Sequence, residues 1–161
     1  MIPAHVITCS DAASTGHRQD RSGQAVRELL VASGCDVGEG TIVADDVSLI
    51  AAAIAQAIAD GARLVVTTGG TGIAPRDVTP EATMLVCDRL VPGFGELMRA
   101  RSLEKTAMAP LSRAQAATRG NALVINLPGS PRGAVENLEA VLHLIPHALE
   151  LLTGERVEKH P

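Results

Sequence analysis

An apolar run, Leu64-Val65-Val66, breaks into Thr67-Thr68-Gly69-Gly70-Thr71-Gly72, and no other stretch of the chain constrains its fold as strongly. The run reads as a strand buried on both faces. Three glycines and three threonines within six residues then allow positive φ and close approach of a ligand to the main chain. Bare N–H groups and hydroxyls at a strand-to-helix turn suit a phosphate. Asp77 follows, and Thr79-Pro80-Glu81 reads as a helix start with a hydroxyl cap and proline at the first helical position. A tight turn into an ordinary helix is the competing reading. The loop lacks the Lys-Ser/Thr ending of a P-loop, which argues against an ordinary nucleotide hydrolase.

The rest of the chain repeats the same strand-then-helix unit. Residues 5–9 read as a first strand that empties into a polar loop, with Asp20 or Ser22 capping a helix that stops at Gly34. Residues 41–44 form the second strand. Ile50, Ile54 and Ile58 fall four apart and give the next helix one apolar face, ended by Gly61. Residues 64–67 are the third strand. After the glycine loop come a helix over 79–90, a break at Pro92-Gly93 and a helix over 94–105. Residues 114–118 fit helix or strand. A fourth strand covers 123–126. Val135, Leu138, Leu142, Ile145, Leu149 and Leu152 then make one helical stripe, kinked or split at Pro146. The sequence predicts an α/β fold, a three-layer α/β/α sandwich with a mostly parallel sheet. Residues 1–154 read as a single domain and 155–161 as a polar tail.

Composition narrows the function. At 161 residues and 46% hydrophobic content the chain can bury one substantial core, yet Phe94 is its sole aromatic residue. The core is therefore aliphatic, base stacking is removed as a binding mode, and a formal charge of −4 supplies no basic field. Nucleic acid is excluded as a partner on these grounds. Cys9, Cys35 and Cys87 lack metal spacing and fit a reducing compartment. No run has the length of a membrane span and no signal peptide is evident, so the expected location is cytoplasmic, away from membranes.

In an open parallel sheet, ligands bind beyond the carboxyl ends of the strands. Here those ends are Ser10-Asp11, Asp45-Asp46, residues 67–77 and residues 128–130. The topology thus gathers carboxylates on a rim of phosphate-friendly backbone, and a magnesium ion is the usual bridge between the two. Ordinary roles compete at each point. Asp45 or Asp46 can cap the next helix, Asp77 can close a turn with Thr79, and Ser130 can cap the last helix. His143 and His147 lie four apart but lack a third metal ligand. Arg99, Arg101, Lys105, Arg113 and Arg119 read either as an anion-binding patch or as solvated helix surface.

Four motifs occur together: Thr68-Gly69-Gly70-Thr71-Gly72 with Asp77-x-Thr79-Pro80-Glu81, Pro92-Gly93-Phe94-x-Glu96, Ser112-Arg113, and Asn126-Leu127-Pro128-Gly129-Ser130-Pro131. In this order they resemble the MoaB/Mog family of molybdenum-cofactor biosynthesis, which includes molybdopterin adenylyltransferases and the N-terminal domain of gephyrin. The resemblance covers about residues 4–154. It implies molybdopterin and ATP as substrates, Mg2+ as cofactor, pyrophosphate release, and a homotrimer or homohexamer. It implies catalytic and magnesium-binding roles for Asp45 and Asp77. Substrate and phosphate contacts fall to Ser10, Thr68, Gly69, Gly70, Thr71, Gly72, Ser112, Arg113, Pro128, Gly129 and Ser130. Ala44 stands where family members often have proline. The alternatives are a MoaB-type protein that binds or carries molybdopterin without adenylating it, and a gephyrin-like scaffold.

Overall fold

The computed structural model describes residues 1–155, so residues 156–161 of the expected tail lie outside the described residues. Its seven strands form one sheet. The order is β2 (Cys35–Val37), β1 (Ile2–Cys9), β4 (Leu64–Thr68), β7 (Ala122–Leu127), β6 (Gln115–Arg119) and β5 (Arg89–Leu90), and β3 (Thr41–Val43) also pairs with β1. The half around β1 and β4 is parallel, whereas β6 and β5 run antiparallel. Strand alternation divides the core into two layers. Val6, Val66 and Ile125 face one side, beneath α2 (Arg21–Ala32), α5 (Pro92–Leu103), α6 (Pro131–Val141) and α7 (Ile145–Leu152). Ile7, Val65 and Val124 face the other, beneath α3 (Val47–Ala59) and α4 (Thr79–Val86). The result is the expected α/β/α arrangement, with Phe94 buried in the first layer.

The path of the chain creates the crevice. From β1 it passes through α2 to β2 and β3 on one side of β1. It then crosses through α3 to β4 on the other side. Strand order therefore reverses between β1 and β4, and the connections leave an opening at their carboxyl ends. Register lines the exits up: Cys9 pairs with Val43, Thr8 with Thr68, and Thr68 with Leu127. Residues 10, 44, 69 and 128 consequently leave the sheet along one edge.

Several local expectations are corrected. A short helix α1 (Asp11–Ser14) follows β1 where a loop was expected, because the Ser10 hydroxyl accepts from the Ala13 N–H and caps it. β2 is an additional strand: it is three residues long, and residues 38–40 separate it from β3 on the same edge of β1. The helix over 79–90 stops at Val86, since Asp88 N–H and Val91 N–H donate to β6 carbonyls and draw the chain into β5. Thr79 is no cap. It lies inside the first turn of α4, and its hydroxyl donates to the Gly69 carbonyl at 2.9 Å. Pro92 opens α5 and breaks nothing, because its missing N–H would be unpaired there in any case. Residues 115–119 are extended. The final stripe splits through a 3-10 turn at Leu142–Leu144, just ahead of Pro146.

Candidate functional site

Two backbone segments meet at the mouth of the crevice, and glycine lets them do so. Gly69 has φ +92, and a Cβ there would stand 2.3 Å from the Cys9 carbonyl oxygen. Gly70 has φ +66, and its Cβ would stand 2.3 Å from Thr79 Oγ1 and 3.3 Å from Asp45 Oδ1. A Cβ on Gly129 would press to 3.3 Å against the Gly69 Cα. The Gly69 N–H donates to the Leu127 carbonyl at 3.0 Å, holding the two glycine segments together. They close one wall of a cavity of about 730 Å³. Thr8, Cys9, Ser10, Thr68, Ser130, Pro131 and residues 18–22 also line it, Asp20 being tied to Thr8 and Ser22 to Thr68 by hydrogen bonds. The N-termini of α2 and α6 both lie at this cavity, Asp20 and Ser130 being their caps. Both helix dipoles therefore favour an anion there.

Asp45 is the carboxylate this cavity leaves unsatisfied. Its neighbour Asp46 caps α3 by accepting from the Leu49 N–H at 2.9 Å, which frees Asp45 from capping. Asp45 Oδ2 accepts from the Asp11 N–H at 3.0 Å, while Oδ1 is buried without a partner. Burial pushes the Asp45 carboxyl above its usual range against the pull of the Asp11 N–H, and the charges of Asp11 and Asp77 add to the rise. A desolvated, unpaired carboxylate oxygen fits a hard cation. Among the described residues no cluster of three or more His, Cys, Asp or Glu is placed to hold a metal. Magnesium would thus take phosphate and water oxygens beside Asp45, which is its usual habit.

The sequence matches the family described as "Probable molybdopterin binding domain" over residues 5–147. The chain belongs to this molybdenum-cofactor biosynthesis family. It is 45% identical over 156 residues to the molybdopterin adenylyltransferase of Helicobacter pylori, covering 95% of this chain and 89% of the relative. Identity to the molybdopterin adenylyltransferase of Escherichia coli K12 is 37% over 171 residues, covering 97% and 88%. Its fold is similar to the crystal structure of the molybdopterin biosynthesis enzyme MoaB from Thermus thermophilus. The TM-score there is 0.88 at 48% identity, covering 96% of this chain and 98% of that one.

The family motifs do not all converge on the cavity. Ser10, Asp45, Thr68, Gly69, Gly70, Gly129 and Ser130 line it; Thr71, Gly72, Asp77, Ser112, Arg113 and Pro128 do not. Asp77 closes a turn instead, its Oδ2 accepting from the Ala74 N–H at 3.0 Å. Arg113 braces the glycine loop from behind: its guanidinium donates to the carbonyls of Gly72 and Asp77 and grips Glu81 with two bonds. Arg99 and Arg119 also donate to backbone carbonyls, and Lys105 to Glu136, so most of the basic segment serves packing. His147 lies beside Glu150 rather than at a metal site. Cys9 lines the cavity, but burial pushes its thiol up to about 12, which makes it a poor nucleophile.

The sequence offers Asp20 or Ser22 as the cap of α2, and Asp20 is that cap, but it assigns Arg18, Gln19 and Arg21 no role. Arg18, Gln19 and Arg21 lie at the cavity, while Asp20 is held by the Thr8 hydroxyl and the Gly23 N–H. Ser22 shares a hydrogen bond with Thr68. A signal existed: two arginines in the segment after a strand whose carboxyl end was already expected to face ligand.

Proposed function

We propose that this chain transfers AMP from ATP to molybdopterin and releases pyrophosphate. Asp45 carries the reading, as a half-buried carboxylate with one buried, unpartnered oxygen beside Gly70. Two relatives spanning nearly the whole chain bear the name molybdopterin adenylyltransferase, and this supports the reading. An oxygen of the molybdopterin terminal phosphate attacks the α-phosphorus of ATP, and the bond from that phosphorus to the bridging oxygen breaks. The electron pair leaves on pyrophosphate. A phosphate nucleophile is already ionised near neutral pH, so the protein needs no strong base. Its task is alignment and charge neutralisation.

The residues divide that task. Backbone at Gly69, Gly70 and Gly129 lets phosphate approach closely, and the α2 and α6 N-termini favour its charge. Arg18 and Arg21 add two cations to the cavity lining. Asp45 would hold magnesium, with the Asp77 charge nearby adding to the attraction for the cation, and the ion would neutralise charge on the triphosphate. Arg113 acts from outside the cavity, holding the loop in shape through the Thr71 and Gly72 carbonyls, with Ser112 and Pro128 next in the chain to Arg113 and Gly129. With Phe94 in the core, the pterin is held by hydrogen bonds and aliphatic contact. The working unit is residues 1–154, assembled as a homotrimer or homohexamer in the cytoplasm.

The test is pyrophosphate release by purified protein with molybdopterin, ATP and Mg2+. Wild type should release it only when molybdopterin is present. Asp45→Ala should lower the rate by at least about 100-fold, in line with removing a group that holds the charge-neutralising cation, and Asp77→Asn should lower it less, because Asp77 lies outside the cavity and acts on Asp45 through its charge. Pterin binding without pyrophosphate release would replace the enzyme with a carrier.

A further inference from the structure

Beside the cavity, three loops are tied together by charge. Asp11 and Asp45, distant in sequence, exchange backbone bonds: the Asp11 N–H donates to Asp45 Oδ2 at 3.0 Å, and the Asp45 N–H donates to Asp11 Oδ1 at 3.0 Å. Arg76, on the segment between the glycines and α4, closes on Asp11 with two further bonds. Its Nε reaches Oδ2 at 2.8 Å and its Nη2 reaches Oδ1 at 2.9 Å. Both side chains are substantially exposed, 67% for Arg76 and 45% for Asp11. An ion pair so open to water contributes little to stability. Its geometry, however, is consequential. A carboxylate with one oxygen buried and unpaired gains by turning toward water unless something holds it. The Asp11 carboxylate pins the Asp45 backbone, and the Asp11 N–H pins one carboxylate oxygen, so Asp45 Oδ1 stays turned toward Gly70. Arg76 orients the Asp11 carboxylate for this work and draws the segment bearing Asp77 to the same corner.

We propose that Asp11 is the positioning residue for Asp45 and that Arg76 locks it in that role, so that the ends of β1 and β3 and the glycine loop form one rigid clasp at the reacting phosphates. This rests on the adenylyl-transfer reading for its kinetic consequences, though not for its geometry.

The experiment pairs kinetics with a crystal structure. Asp11→Ala and Arg76→Ala should each lower kcat about 10–100-fold, the usual effect of removing a group that orients a ligand-bearing side chain. The KM for ATP and the melting temperature should stay near wild type. Asp11→Asn keeps an acceptor for the Asp45 N–H and should recover part of the loss. The Asp11→Ala, Arg76→Ala double variant should lose no more than the worse single, because both act through one clasp. In the crystal structure of Asp11→Ala, the Asp45 carboxylate should turn away from Gly70. Asp45 holding its orientation there overturns the clasp, whatever the enzyme does with ATP, as do losses that multiply in the double variant. A wild type without turnover, beside an Asp11→Ala crystal in which Asp45 has turned, would overturn the adenylyl-transfer reading and leave the clasp standing.

Discussion

Gly69 shows how much one missing Cβ can decide. Its φ of +92 disfavours any L side chain, and a Cβ would also meet the Cys9 carbonyl oxygen at 2.3 Å. Backbone lies on both sides of that contact, so neither partner can rotate away. Gly69→Ala should cost about 3–5 kcal/mol, the range of severe backbone and packing conflicts. Gly16→Ala is the control: φ is +79, but nothing lies within 4 Å, so only the left-handed penalty of about 1–2 kcal/mol applies. Urea unfolding of both variants measures the difference, and equal losses would mean that the close contact contributes nothing. This glycine was legible in the sequence because a glycine cluster after an apolar strand has few other uses. So was the division of labour at Asp45-Asp46, since one carboxylate was needed as a cap. The partners were not legible. Asp11, Arg18 and Arg76 acquire their meaning only from loops that fold together, and no local pattern records which loops those are.

At the level of elements, legibility followed apolar runs: β4, β7 and even the three-residue β3 carry them, whereas the five-residue β6, Gln115–Arg119, carries no more than two alanines and fits helix or strand equally. β2 and β5 have three residues and two, too few to show a period, and pairing partners rather than propensity hold them in place. Helix ends were uncertain for a related reason: proline at 92 stops one helix or starts another, and only the packing of α5 on α6 selects. That packing includes a small charged bridge. Glu136 on α6 accepts from Lys105, just past α5, at 2.8 Å and from Arg132 at 2.9 Å. Lys105 first, and then Arg132, hold the Glu136 carboxyl below the usual carboxylate range. A depressed acid adds stability that is complete above its unfolded pKa and is lost as pH falls through the folded one. Glu136→Gln should therefore melt below wild type near about pH 7 in low salt, with the gap closing toward about pH 3. Because the bridge is open to water, about 1 M salt should shrink the gap as well. A gap that persists in acid would assign the effect to packing rather than charge.

At the scale of the molecule, the sheet divides its duties. The parallel half, where strand order reverses between β1 and β4, builds the cavity; the antiparallel half ends in the two-residue edge strand β5. Apolar side chains are exposed on α4 and on β5 itself. Leu85 on α4 is 67% exposed and Leu90 on β5 is 44% exposed, with Met84 exposed next to Leu85. Single exposed leucines are ordinary, but several on consecutive elements beside an open sheet edge suit contact with another copy of the chain. A heterologous contact of this kind closes into a ring when the rotation between copies is right, and a three-fold ring is the homotrimer proposed above. Light scattering should give three or six chain masses for wild type. Leu85→Asp combined with Leu90→Asp should reduce this to one, because charges would then be buried unpaired in each contact. The cavity lies at the carboxyl ends of β1 and β4, away from these two side chains. The dissociated variant should therefore keep its secondary structure and its ATP binding. A variant that still weighs three or six chains would move the interface to another face. One that sheds ATP binding together with its partners would show that neighbouring copies complete the site.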